Sequence, residues 1–182
     1  MLNKENKIIP ELDALIDALP DYAKDMRLNF STLKSNPGGL TETQFWGTVV
    51  ASSMASRNPL LIASVQEAAQ PYLSEEAFAD VKVAVTIMSM NNIYYRFTDL
   101  VEQESYRKMS AGLRMNAMRE VRGSKLDFEL WSLAVSVINA CSMCVTAHET
   151  QVIKAGVTTE TVQAVAKLAA VIHAIAVALE IK

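Results

Sequence analysis

Cys141, Cys144 and His148 fall at positions i, i+3 and i+7, a spacing that places all three on one face of an α-helix. They belong to the stretch ACSMCVTAHE, residues 140–149, which holds both cysteines of the chain and one of its two histidines. Residues of these types could form a redox dithiol with its own proton-transfer group, part of a metal site, or a pair of inert buried cysteines. On that face His148 stands one turn from Cys144 and is positioned to touch it. Asn139 and Ser142 are both good capping residues, so a helix is expected to start here. A cysteine at such a start has its thiolate stabilised by unpaired backbone N–H groups and by the helix dipole.

Magnitudes separate the roles the neighbours could play. Lowering a thiol pKa from about 8.5 to about 6.5 raises the thiolate fraction at pH 7 roughly 25-fold. Intrinsic nucleophilicity falls roughly 8-fold over the same interval, leaving about 3-fold net. Thiolate formation alone is therefore a poor catalyst. If the thiol attacks a peroxide, a general acid that protonates the departing alkoxide adds on the order of 10² to 10⁴. A histidine backed by a carboxylate can fill that role.

Glu129 is the best carboxylate candidate, since it lies within the otherwise apolar segment FELWSLAVSVINA. It precedes Cys141 by twelve residues, and on one straight helix it would point about 120° away from that cysteine. Bringing it to the site requires a break near Asn139. The alternative is an exposed glutamate at the start of a helix. A c-type haem site needs CxxCH, and Val145 occupies the histidine position. Zinc would need Cys141, Cys144, His148 and His173 together, a spacing unlike common finger patterns. His173 is a lone polar residue in an alanine-rich helix, where a hydrogen-bonded structural role is the better expectation.

The elements that must position these residues are helical throughout, with no period-2 alternation bounded by hairpin turns. A first helical region is expected from about Pro10 to Leu33, with Pro20 opening a new helix and SNPGG at 35–39 closing it. Pro71 with Ser74, and Gly156 with Thr158 and Thr159, mark later helix stops and restarts. Laying the chain over itself with an offset of 85 and no gaps places Trp46 on Trp131, Val50 on Val135 and Ala55 on Ala140. The match continues with Gln66 on Gln151, Glu75 on Glu160 and Ile87 on Ile172, so the chain reads as two copies of one helical hairpin. In that register Cys141 falls on Ser56, Cys144 on Pro59, His148 on Ala63 and Glu129 on Gln44. The second copy carries the chemistry and the first retains the scaffold. The expected organisation is a single domain over 1–182: N-terminal helices at 1–39, a first, non-catalytic repeat at 40–97, a connector at 98–124, and a catalytic repeat at 125–182. The connector reads as a charged helix with its methionines packing inward.

Composition bounds the function. The 182 residues suit one single-core domain. A hydrophobic share of 51% is too apolar for a disordered chain. The net charge of -3, with basic residues scattered, argues against nucleic acid as a partner. The N-terminus MLNKENKIIPELD lacks the apolar core of a secretory signal, which points to the cytoplasm. The run VQAVAKLAAVIHAIAVALEIK is interrupted by Gln163, Lys167 and His173, so a buried or interface helix is expected there rather than a membrane span. In a reducing cytoplasm, CxxC spacing favours catalysis or metal binding over a structural staple.

With these residues in view, the sequence resembles the alkyl hydroperoxide reductase D proteins of the carboxymuconolactone decarboxylase-like superfamily. The resemblance runs through LPDYAKDMRLNFSTL at 19–33, MSMNNIYYRF at 88–97, GLRMNAM at 112–118 and FELWSLAVSVINACSMCVTAHE at 128–149. It implies an all-α, internally duplicated helical-hairpin bundle assembled as a homotrimer, with thiol-dependent peroxidase activity towards organic hydroperoxides and no bound cofactor or metal. It implies that Cys141 and Cys144 cycle between dithiol and disulfide, with Cys144 forming the sulfenic acid, Cys141 resolving it and donating a proton, and Glu129 and His148 forming the proton relay. It further implies dihydrolipoamide as external reductant, carried on the lipoylated acyltransferase component of a 2-oxoacid dehydrogenase complex, and a partner peroxiredoxin, the C component. The family pattern has C-x-H-C, whereas this chain has Met143 between its cysteines, so the relay would depend on His148 and Glu129 alone. Two other readings remain at this point: decarboxylase-like proton transfer on a lactone, which needs no redox-active cysteines, and a non-enzymatic helical adaptor with a redox-sensitive contact.

Overall fold

The computed structural model describes residues 9–181, so most of the N-terminal stretch on which the absence of a secretory segment was judged lies outside the described residues. The described chain forms nine α-helices and two short 3-10 turns, with no strand among the described residues. The first helical region divides as its prolines dictate. Helix α1 covers Leu12–Asp17, Pro20 precedes a 3-10 turn at Asp21–Ala23, and α2 continues over Lys24–Ser35. The glycine loop follows, with Gly38 and Gly39 at φ +62° and +86°.

Two three-helix units then account for most of the chain. The first comprises α3 (Glu42–Ser56), α4 (Pro59–Ala69) and α5 (Glu75–Leu100). The second, after a short α6 (Glu104–Lys108), comprises α7 (Lys125–Ile138), α8 (Ser142–Lys154) and α9 (Thr159–Glu180). Each of these six helices begins where a side chain accepts an otherwise unpaired amide hydrogen. Thr41, Asn58 and Ser74 cap the first unit, and Ser124, Cys141 and Thr158 cap the second, 83, 83 and 84 residues later. Arg57 and Ala140, the residues just before the middle caps, both adopt the left-handed conformation, at φ +66° and +52°.

These landmarks confirm the duplication and correct its register. The offset is 83 through the first two helices and 84 in the third, not 85, and the repeated unit has three helices rather than two. Phe45 now falls on Phe128, Ala51 on Ala134 and Ser53 on Ser136. The counterparts of Cys141, Cys144, His148 and Glu129 become Asn58, Leu61, Val65 and Trp46. In the first unit Leu61 and Val65 are fully buried where the second carries Cys144 and His148.

Helix α7 is the hub, packing against α3, α5, α8 and α9. Its face of Leu130, Trp131, Leu133, Ala134 and Val135 is almost wholly inaccessible to solvent. A buried leucine of this kind contributes roughly 1.5–3 kcal/mol. Gly47 lets α3 approach this helix closely, because a Cβ there would overlap the Trp131 indole. The alanine-rich α9 is long and apolar enough to cross a membrane by length and composition. In the fold it packs against α2, α3 and α7 and buries Leu168, Ile172 and Ile175 completely. The connector departs from expectation. Helix α6 stops at Lys108, where Met109 turns extended, and the chain then runs irregularly through Gly112, at φ +64°, to a 3-10 turn at Asn116–Arg119. Met118 packs on the core, but Met109 is 60% exposed.

Candidate active site

The break required to bring Glu129 to the cysteines lies where Asn139 had been expected to interrupt the helix. Helix α7 ends at Ile138, Asn139 is its C-cap, Ala140 turns left-handed, and α8 starts at Ser142. The N-cap is neither Asn139 nor Ser142 but Cys141 itself, whose Sγ accepts the Cys144 amide hydrogen at 3.3 Å. Alanine is strained at the left-handed position by about 1–2 kcal/mol. Ala140→Gly is therefore expected to raise stability by up to about 1 kcal/mol, after the entropy glycine adds to the unfolded chain. Thermal denaturation of the oxidised protein measures it, and a lowered midpoint would contradict the strain.

A polar stripe on α5 holds this break together. Arg96 donates to the Asn139 carbonyl at 2.7 Å, Asn139 Nδ2 donates to Asn92 Oδ1 at 3.0 Å, and Asn92 Nδ2 donates to Ser136 Oγ at 3.0 Å. The Ser136 carbonyl in turn accepts the Cys141 amide hydrogen at 3.2 Å. Further along, Ser142 Oγ donates to Asp99 Oδ2 at 2.6 Å, and Arg107 donates to the other Asp99 oxygen at 3.1 Å. These partners went unnoticed in the sequence. The available signal was Asn92, Arg96 and Asp99 recurring at helical spacing within MSMNNIYYRF and the residues just after it.

Cys141 and Cys144 are joined in a disulfide, with Cα atoms 5.3 Å apart. Cys141 is fully buried and Cys144 is 8% exposed, so Cys144 presents the more accessible sulfur. His148 Nδ1 lies 2.6 Å from Glu129 Oε2, a short bond that unites the two proposed relay residues across α7 and α8. The other ring nitrogen, Nε2, lies 3.2 Å from Met88 Sδ on α5. Both ring nitrogens are thus engaged away from Cys144 in the oxidised state, whereas the helical spacing had paired His148 with that cysteine. The two residues instead share a cavity of about 300 Å³, whose walls also include Met88, Asn91, Met115 and Met143. Met143, between the two cysteines, is 43% exposed at this cavity.

His173 is not brought to this site. It lies on α9 with Nδ1 3.2 Å from Ser56 Oγ, the hydrogen-bonded role expected for it. The four-ligand zinc set is therefore not assembled, and among the described residues no three His, Cys, Asp or Glu side chains converge as metal ligands.

Comparison with known proteins identifies the family of the chain. The chain is 47% identical over 169 residues to the alkyl hydroperoxide reductase AhpD of Acidobacterium capsulatum, covering 93% of this chain and 92% of that protein. It is 45% identical to the AhpD of Streptomyces coelicolor, covering 93% and 94%, and 49% identical to that of a Methylobacterium species, covering 93% and 96%. The chain belongs to the AhpD family. The broader model of the Carboxymuconolactone decarboxylase family matches residues 105–181, which take in the connector and the second three-helix unit. That span contains Glu129, Cys141, Cys144 and His148.

Proposed function

We propose that this chain is an alkyl hydroperoxide reductase, a cytoplasmic thiol peroxidase and disulfide reductase whose Cys141–Cys144 pair takes electrons from dihydrolipoamide. The observation that carries the reading is the disulfide at the head of α8, with Cys144 on a largely apolar cavity and His148 paired to Glu129 beside it. Membership of a family whose relatives are named alkyl hydroperoxide reductases supports the substrate class.

In the reduced protein the Cys144 thiolate attacks the terminal oxygen of the hydroperoxide, and the O–O bond breaks. The relay of His148 and Glu129 protonates the departing alkoxide, giving an alcohol and a Cys144 sulfenic acid. Cys141 then attacks that sulfur, the disulfide forms and water leaves. Two thiols and one hydroperoxide thus become one disulfide, one alcohol and one water. Cavity chemistry favours an organic peroxide, because its walls are mostly carbon and thioether sulfur. Met143 neither transfers protons nor carries charge, so the relay rests on one histidine.

Reduction closes the cycle. A dihydrolipoyl group on a lipoylated acyltransferase component is the proposed donor, and a partner peroxiredoxin is a second proposed acceptor of electrons from the same dithiol. A homotrimer is the proposed assembly. The test mixes the protein with an organic hydroperoxide and compares dihydrolipoamide, thioredoxin and glutathione as donors. Peroxide loss should be fastest with dihydrolipoamide and match its oxidation one to one. Equal, protein-independent loss with every donor would overturn the reading.

A further inference from the structure

His148 places both ring nitrogens against protein acceptors in the disulfide state. Nδ1 meets the Glu129 carboxylate at 2.6 Å and Nε2 meets the Met88 thioether at 3.2 Å. A thioether sulfur accepts hydrogen bonds and has no hydrogen to give, so a bond at Nε2 needs the hydrogen on the ring. Met88 is 2% exposed and His148 8%, and the thioether is the protein acceptor that the structure places at Nε2.

We propose that Met88 is a positioning residue for His148: its sulfur holds the Nε2 proton while the cysteines are oxidised, keeping that proton loaded for the thiolate released when the disulfide opens. The inference rests on the dithiol chemistry proposed above and extends it to a side chain with no reactive group of its own. A weak acceptor suits the task. A carboxylate at this place would compete with the leaving thiolate for the proton, and an aliphatic side chain would leave a buried N–H unpaired. The other titratable groups around the ring are Glu129 from α7, the cysteines at the head of α8 and Tyr95 across the cavity on α5. The connector contributes only Met115 and Met118 to the cavity wall, and neither titrates.

The reductive step balances with this proton in place. A donor thiolate attacks Cys144 Sγ, the Cys141–Cys144 bond breaks, and its electron pair leaves on Cys141 Sγ, which takes the Nε2 proton. The donor's second sulfur then displaces Cys144 Sγ and closes the donor disulfide. Of the two protons the donor loses, one protonates Cys144 and the other restores Nε2.

Two measurements on the oxidised protein test the proposal without peroxide or a lipoyl donor, so their failure is separable from failure of the proposed function. Nitrogen-15 NMR of the imidazole rings at neutral pH should show His148 Nε2 protonated in the wild type, unprotonated in Met88→Leu, and protonated again in Met88→Gln. Leucine conserves volume and leaves the fold in place, which the thermal midpoint checks. Reduction by dithiothreitol should slow by at least about tenfold in the leucine variant, a fraction of the 10² to 10⁴ that a positioned general acid supplies. The glutamine variant should restore the Nε2 proton irrespective of its rate. A wild-type Nε2 without a proton, a leucine variant that keeps it, or an unchanged reduction rate would each overturn the assignment.

Discussion

Cys144→Ser is expected to bring hydroperoxide consumption down to the rate measured without protein, with the fold intact. A serine hydroxyl matches the thiol closely in size and stays protonated at neutral pH, so the nucleophile is lost while the helix start is kept. Cys141 cannot substitute, because it is fully buried while Cys144 faces the cavity. Its own replacement should give a different signature. Cys141→Ser retains the attacking thiolate, so one equivalent of peroxide is consumed and the product is Cys144 sulfenic acid, seen by intact mass as one added oxygen atom. Cycling then stops because nothing resolves it. Wild-type turnover in Cys144→Ser would remove the peroxidase assignment, and a multiple-turnover Cys141→Ser would remove the resolving role.

The second large effect is expected at the relay. His148→Gln should lower kcat/KM for an organic hydroperoxide by roughly 10² to 10⁴, the range for a lost general acid. Glu129→Gln leaves a carbonyl oxygen for the Nδ1 hydrogen but removes the charge that steadies the ring, so its loss should be smaller. The pair shares a 2.6 Å bond, so the double variant should cost less than the two single losses combined. Met143 supplies no second imidazole between the cysteines to mask these losses. Initial rates at several peroxide concentrations, with dihydrolipoamide in excess, measure all three variants. A His148→Gln enzyme within a few-fold of wild type would show that the proton comes from elsewhere.

Much of this site was legible because its residues are local in sequence and rare in type. Cys141, Cys144 and His148 share a helix, and the geometric argument that Glu129 needed a break near Asn139 was met by the Ala140 turn. What escaped depended on tertiary approach. Met88, Asn92, Arg96 and Asp99 reach the site from a helix 43 to 60 residues earlier, and nothing in their own spacing names the partner they meet. The cap was misplaced because a thiol is not a usual capping group, yet its sulfur stands where Asn58 Oδ1 stands in the first unit. The repeat register slipped for a different reason. A gapless overlay rewarded the coincidence of two tryptophans, whereas the caps move from 83 to 84 residues apart across the turn before α9. The connector misled because its charged, methionine-rich composition is helical in character, whereas the backbone leaves the helix at Met109 and passes Gly112 left-handed, a course that composition does not report.

The position of the disulfide has a consequence for endurance. It links residues three apart within the first turn of one helix, so making it restricts very little of the unfolded chain. The chain-entropy relation gives about 2 kcal/mol for so short a loop, against about 4.7 for one that closes 100 residues. In the proposed cycle, the bond opened and remade at every turnover therefore joins no distant parts of the molecule. The packing of α7 against α3, α5, α8 and α9 does not run through it, so the proposed chemistry would act at the head of one helix.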